Sequence, residues 1–310
     1  MYYLILSLAF FLSKLRAQQC FALGRGLGWF VAHVLRIRRS VVESNIDRVF
    51  GPDLSEADKK RLVLEAYQTL ATVGLETLRL RFSSREEVLE RTQLTGADHL
   101  DTALAAKRGV IVASGHFGNV AFSGCSEAAR GVPVYVIAKD LKNKAAQKVY
   151  LEIMRRFGIT RISTRRSKGA IVEALQKGAA VYMAVDQHMP WHRGLPCEFF
   201  GSKASTSPAP IRFALETDAP IVPCRGSILF ESGGNALHYD EAFTIETNDI
   251  AQDQVLLHNT ERLNRVLETY LRANPGQWLW QHKRWKIAEL TPGDYERWVG
   301  QSHRHFFGQD

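Results

Sequence analysis

The residues best suited to chemistry follow one short apolar run, in which Gly115-His116-Phe117-Gly118-Asn119 comes directly after Val110-Ile111-Val112-Ala113 and Ser114. An imidazole titrates near neutral pH and can take a proton from a hydroxyl, which makes His116 a candidate general base. The β-branched run reads as a strand buried on both faces, with Ser114-Gly115 marking where the backbone leaves the sheet. His116 then stands at the carboxyl edge, where open α/β sheets take their ligands. Gly115 and Gly118 would let the backbone approach a substrate, and Asn119 would orient the ring or a reacting carbonyl. A lone histidine at a strand end also reads as a satisfied structural group, so the rest of the chain has to decide.

Three further groups bear on that decision. Asp186-Gln187-His188 ends a second apolar strand, 181–185, and would face the same crevice as His116. Asp186 there would orient a substrate hydroxyl or pair with a basic residue, or else cap a turn. Between Lys139 and Lys168 ten cations, including Lys139, Arg156, Arg165 and Arg166, stand against only Asp140 and Glu152, so this window carries an excess equal to the chain's net +8. It reads as a dock for a phosphate or an acidic protein, the alternative being a solvated basic helix face. Only Tyr150 and Phe157 would serve as stacking platforms and no recognition module is present, so nucleic acid is not expected as a partner. Finally, Gln277-Trp278-Leu279-Trp280-Gln281-His282-Lys283-Arg284-Trp285-Lys286 interleaves tryptophans with cations, as at a membrane-interface edge or the wall of an acyl pocket, or as ordinary core.

The elements that must position these groups follow from periodicity. Strand and helix patterns alternate from residue 109: strand 132–138, helix 143–157, strand 159–162, helix 168–176 and strand 181–185. This predicts an α/β fold whose mostly parallel sheet is flanked by helices. The Pro- and Gly-rich stretch 186–210 reads as a long functional loop. Strands are expected at 221–230 and 237–245, and a long amphipathic helix at 252–273.

Upstream, residues 2–12 and 20–35 are apolar but too short to span a bilayer alone, and the cations follow the first run, unlike a signal peptide. Backed by Arg36, Arg38 and Arg39, they predict an N-terminal helical part that lies in an anionic membrane surface or packs on the protein's own core. Residues 1–85 are therefore expected as a helical, membrane-associating cap and 86–310 as one α/β unit. With 310 residues, 45% of them apolar, a sizeable core is available. The four cysteines lack metal or redox spacing, which fits buried thiols in a reducing compartment, and no metal or other cofactor is expected.

Taken together, Ser44-Asn45-Ile46 with Val49-Phe50, Gly115-His116-Phe117-Gly118-Asn119, Asp186-Gln187 with Phe199-Phe200-Gly201 and Thr206, and Gln277-Trp278-Leu279-Trp280 with His282 and Arg284-Trp285-Lys286 resemble the late acyltransferases of lipid A biosynthesis. More broadly the chain is similar to the bacterial lysophospholipid acyltransferase superfamily. The resemblance implies a glycerol-3-phosphate-acyltransferase-like fold and transfer of a fatty acyl chain from acyl carrier protein or acyl-CoA to a hydroxyl of a membrane glycolipid. It implies the cytoplasmic face of a bacterial inner membrane, with His116 as base and Lys139, Arg156, Asp186, Gln187, Phe199, Phe200, Thr206 and Arg284 as substrate-binding residues.

It also implies an acid five residues after the histidine that steadies the imidazolium, and here that position is Ala121. Five helical residues turn by about 500°, so such a pair meets only if the histidine precedes the helix. The expectation is a protein that binds its substrates and turns over slowly. Other lipid acceptors, a thioesterase and a non-catalytic lipid-binding relative are the alternatives. No Gly-x-Ser-x-Gly elbow is present to support a serine hydrolase.

Overall fold

The computed structural model describes residues 1–165 and 167–308, so Arg166 of the basic window lies outside the described residues. Four helices come first, α1 (Tyr2–Ser13), α2 (Ala17–Phe30), α3 (Arg39–Phe50) and α4 (Glu56–Arg79), with a π-turn at Val31–Leu35. Then follow α5 (Arg85–Glu90), β1 (Thr92–Thr95), α6 (Ala97–Ala105), β2 (Val110–Ser114), α7 (Val120–Ala129), β3 (Val134–Ala138), α8 (Lys144–Phe157), β4 (Thr160–Ser163), α9 (Lys168–Gln176) and β5 (Ala180–Ala184). The chain continues through β6 (Leu195–Phe199), β7 (Ser202–Thr206), α10 (Ala209–Thr217), β8 (Ile221–Leu229), β9 (Gly234–Tyr239), α11 (Val255–Ala273) and α12 (Pro292–Phe307).

Seven strands form one sheet in the order β1-β9-β8-β2-β5-β3-β4, parallel at every pairing except β8 with β9. The expected mostly parallel α/β architecture is therefore what the chain builds. The sheet is buried on both faces because β2 and β5 at its centre are apolar along nearly their whole length: Ile111, Ala113, Val181 and Met183 join one core, and Val110, Val112, Ala180 and Tyr182 the other. The predicted 186–210 loop is shorter than expected, since β6 and β7 pair in an antiparallel hairpin. Its Pro- and Gly-rich composition concealed the alternation of buried Leu195, Cys197 and Phe199.

The N-terminal helices pack on α4 through glycines. A Cβ on Gly24 would come within 2.3 Å of Thr72, and one on Gly28 within 2.4 Å of the Gln68 backbone, so this face of α2 must stay bare. Among the described residues no single helix is long and apolar enough to cross a membrane; only the pair Ala17–Leu35 and Arg39–Asp53, bent by 101°, passes on length and composition. Outward, however, 13 of the 20 exposed large apolar side chains among the described residues fall between Met1 and Ile37. Leu4, Leu8 and Phe11 form one outward row of α1, while Ala9 and Leu12 face inward and are buried.

Register sets up the site. β2 and β5 are parallel neighbours with Ser114 opposite Ala184, and the Val185 N–H donates to the Ser114 carbonyl at 2.9 Å. Two residues beyond each strand end, His116 and Asp186 therefore emerge side by side at the carboxyl edge.

Candidate active site

The imidazole of His116 meets a carboxylate here, and it is that of Asp186. His116 Nδ1 lies 2.8 Å from Asp186 Oδ1, and the His116 backbone N–H donates to Oδ2 at 2.8 Å. Trp278 Nε1 donates to the same Oδ2, also at 2.8 Å. With three donors converging on it, the carboxylate has no hydrogen of its own to give, so Nδ1 carries the proton and Nε2 the lone pair.

The charges are consistent with this assignment. Burial would raise the Asp186 pKa, but the His116 charge, its two bonds and the Trp278 bond bring it down to about 2. Burial likewise disfavours a charged His116, yet the Asp186 charge and bond outweigh it and raise the imidazole above its ordinary value. Asp186 is 2% exposed and His116 31%, so the carboxylate is sealed behind an imidazole that reaches solvent.

The flanking glycines serve this contact in a way different from that expected. A Cβ on Gly115 would sit 3.1 Å from the Asp186 carboxyl carbon and 2.7 Å from the Phe117 ring. Gly118 has φ +55° and would meet the Ser227 backbone at 2.8 Å. Both let the turn approach protein rather than leave room for a substrate. From the other side, Leu279 N–H donates to His116 O at 3.1 Å and Gly118 N–H to Gln277 O at 2.8 Å.

Gln187 stands over the ring. Its Nε2 is 3.3 Å from His116 Nε2 and 3.4 Å from Nδ1. A nitrogen nearly equidistant from both ring nitrogens would overlap Cε1 if it lay in the ring plane, so the amide sits above the face and leaves the Nε2 lone pair open. Nearby, His282 Nε2 accepts the His188 N–H at 2.8 Å, and burial lowers both imidazoles to about 4, so neither carries charge at neutral pH.

The other expected site residues fall elsewhere. Asn119 does not reach the ring: its Oδ1 caps α7 through the N–H groups of Ala121 and Phe122, both at 3.1 Å. Ala121 itself lies in the first turn of that helix, packed against the core. Glu127, the next acid along α7, is paired with Arg130 at 2.7 Å. Phe199, Thr206 and Arg284 are at most 1% exposed, so they brace the site and cannot line an open one. Arg284 donates to Thr206 Oγ1 at 2.6 Å and to the carbonyls of Ser205 and Gln187, stacking over Phe199. It thereby ties the β6–β7 hairpin to the strand end that carries Asp186, and burial lowers its pKa to about 10. Phe200 is half-buried in the turn of that hairpin, with its N–H bonded to Glu268.

Trp278, Trp280 and Trp285 are likewise core, at most 1% exposed, and form no membrane edge. Of the other two cations expected to bind substrate, Lys139 is exposed at the carboxyl end of β3, two strands from β2. Arg156 is not near the site. Its helix runs back to the amino edge before β4, where Arg156 Nε donates to Ser83 O at 2.9 Å. The basic window is thus split between the two edges of the sheet. Arg161 and Arg165 line a cavity of about 410 Å³ between β4 and α9 that does not include His116.

An imidazole with a carboxylate partner, open at a sheet edge, can chemically activate a hydroxyl without a nucleophilic serine. Sequence comparison gives the group to which it belongs. A profile of the bacterial lipid A biosynthesis acyltransferases matches residues 1–287. The chain belongs to that family. Its relatives include the lipid A biosynthesis acyltransferase of Haemophilus influenzae, 20% identical over 82% of this chain and 77% of the relative. The lipid A biosynthesis lauroyltransferase of Escherichia coli is 22% identical over 89% and 88%. A phosphatidylinositol mannoside acyltransferase of Mycobacterium tuberculosis is 23% identical over 81% and 78%. Within the family profile the bracing residues Thr206, Arg284 and Trp278 and the pair His116–Asp186 all lie inside the matched span.

Proposed function

We propose that this acyltransferase moves a fatty acyl chain from a thioester, carried by acyl carrier protein or coenzyme A, to a hydroxyl of a lipid A-type glycolipid. The observation that carries this reading is the His116–Asp186 pair at the open carboxyl edge. Nε2 takes the proton of the acceptor hydroxyl as its oxygen attacks the thioester carbonyl. The tetrahedral intermediate then expels the thiolate, which takes the proton back from the imidazolium, leaving an ester and a free thiol. Asp186 fixes the tautomer and stabilises the transient imidazolium.

Slow turnover followed from an imidazole with no acid. Asp186 fills that role from another strand, so we infer a working dyad despite Ala121. The exposed apolar face of α1 and α2 supports seating on a bilayer, at the cytoplasmic face of the inner membrane, where thioester donors and a membrane acceptor meet. The exposed cations Lys139, Lys142 and Lys144 at the carboxyl edge suit an acidic carrier protein or an anionic headgroup. The similarity to mannoside acyltransferases makes a mannosylated phosphatidylinositol the second acceptor to try.

The test is acyl transfer from lauroyl-acyl carrier protein and lauroyl-CoA to a lipid A precursor and to a phosphatidylinositol mannoside in mixed micelles, with products read by mass spectrometry. Transfer that vanishes in His116→Ala is expected. Release of free fatty acid alone, with no acylated lipid, would turn the reading to a thioesterase.

A further inference from the structure

The base is held from one side by Asp186 and the 277–279 segment, and from the other by a buried carboxylate on a helix with no part in the chemistry. Glu76 of α4 is 0% exposed. Its Oε2 accepts from Asn119 Nδ2 at 3.2 Å, both of its oxygens lie 3.1 Å from Asn235 Nδ2, and Arg91 Nη2 also donates to it. Four segments meet on this one carboxylate: α4, the entry to β1, the start of β9, and the turn three residues past His116.

The hydrogen bond to Asn119 decides which way that amide points. Asn119 Oδ1 must face the α7 N-terminus to accept from Ala121 and Phe122, and it also takes the Thr77 hydroxyl at 3.2 Å. Its NH₂ then needs an acceptor in a buried place, since a buried donor left unpaired forfeits the hydrogen bond it would make to water. Glu76 is that acceptor. A flipped amide would set NH₂ against two backbone N–H groups and lose the cap.

We propose that Glu76 is a positioning residue for the base, acting through Asn119 to hold the 116–119 turn at the height where His116 meets Asp186. The proposal rests on the acyl-transfer reading only where rates are concerned; the placement of the imidazole can be read without substrate. Neither Glu76 nor Asn119 is open to solvent, so both act on the turn and on nothing that binds.

The test uses the full-length protein with Asn119→Ser, Asn119→Asp and the double variant Glu76→Gln/Asn119→Asp, each checked for cooperative thermal unfolding. Ser keeps an N-cap but cannot reach Glu76; Asp keeps the cap and faces a second carboxylate; the double variant restores a donor–acceptor pair with reversed polarity. The His116 titration midpoint, read by NMR, is expected to fall in both single variants and to return in the double. With lauroyl-acyl carrier protein and a lipid A precursor, kcat is expected to fall by on the order of 10²-fold at unchanged KM in the singles, with most of it regained in the double. Folded single variants with the native midpoint, or a folded double variant that recovers neither midpoint nor kcat, would overturn the positioning role. An unsubstituted protein without transfer activity would overturn the acyl-transfer reading instead, and the titration would still decide the role of Glu76.

Discussion

His116 and Asp186 are seventy residues apart in the chain and 2.8 Å apart in space, as neighbours at the ends of two parallel strands. This one contact supplies what position 121 does not.

Asp186→Asn keeps the shape and removes the charge. Its kcat/KM is expected to fall by about 10²–10⁴-fold, the usual worth of an oriented general base. A variant that keeps full transfer activity would show that Asp186 has no role in the step.

Ala121→Glu is expected to bring no gain in acyl transfer. Nδ1 is already bonded to Asp186, and residue 121 sits in the capped first turn of α7. A rise in kcat on adding the acid would mean that the His116–Asp186 pair is not the working arrangement.

The pH profile follows from the raised His116 pKa. The base must be neutral, so the acid limb of kcat/KM is expected to inflect above the ordinary imidazole value of 6.5, and to move to lower pH in Asp186→Asn. For stability the signs differ. The His116 contribution is fully present below 6.5 and is lost as pH rises through the raised value. The Asp186 contribution is present above 3.8 and is lost as pH falls through about 2. Denaturation midpoints across pH in the protein and in Asp186→Asn measure both.

Trp278→Phe retains a ring in the core and deletes one of the three donors to Asp186. A loss of about 1–3 kcal/mol in stability is expected on leaving that carboxylate oxygen short of a partner, with kcat falling more than KM changes. Unfolding by denaturant and steady-state rates measure the two effects separately.

Leu4→Asp with Phe11→Asp places charges on the outward row of α1. Binding to vesicles containing anionic phospholipid is expected to weaken by at least tenfold, since each buried apolar side chain is worth about 1.5–3 kcal/mol. Co-sedimentation unchanged from the unsubstituted protein would exclude α1 from the membrane contact.

Much of this was legible in the chain. The strands announced themselves because a two-faced buried strand must be apolar at every position, and His116 and Asp186 were both placed at carboxyl strand ends. Their contact was not legible, because it depends on β5 being inserted between β2 and β3, and strand order is set by packing far from either residue. The resemblance implies Thr206 and Arg284 as substrate-binding residues, whereas both are buried, and a shared motif does not tell a lining residue from a brace. Glu76 carries a signal in the sequence. It falls on the inward stripe of α4 with Leu62, Ala66, Thr69 and Thr72, and a carboxylate on such a stripe must have buried donors waiting for it.

The bonds from Leu279 to His116 and from Gly118 to Gln277 have a consequence for the order of events during synthesis. A nascent chain that has threaded β2, α7 and β5 already holds the base and its acid, but the segment that pins the turn and donates the third hydrogen bond to Asp186 has yet to emerge. Domains fold as units while the ribosome extends them. The turn that carries His116 therefore gains its full set of hydrogen bonds only when residues 277–279 dock, after β2, α7 and β5 have all been made.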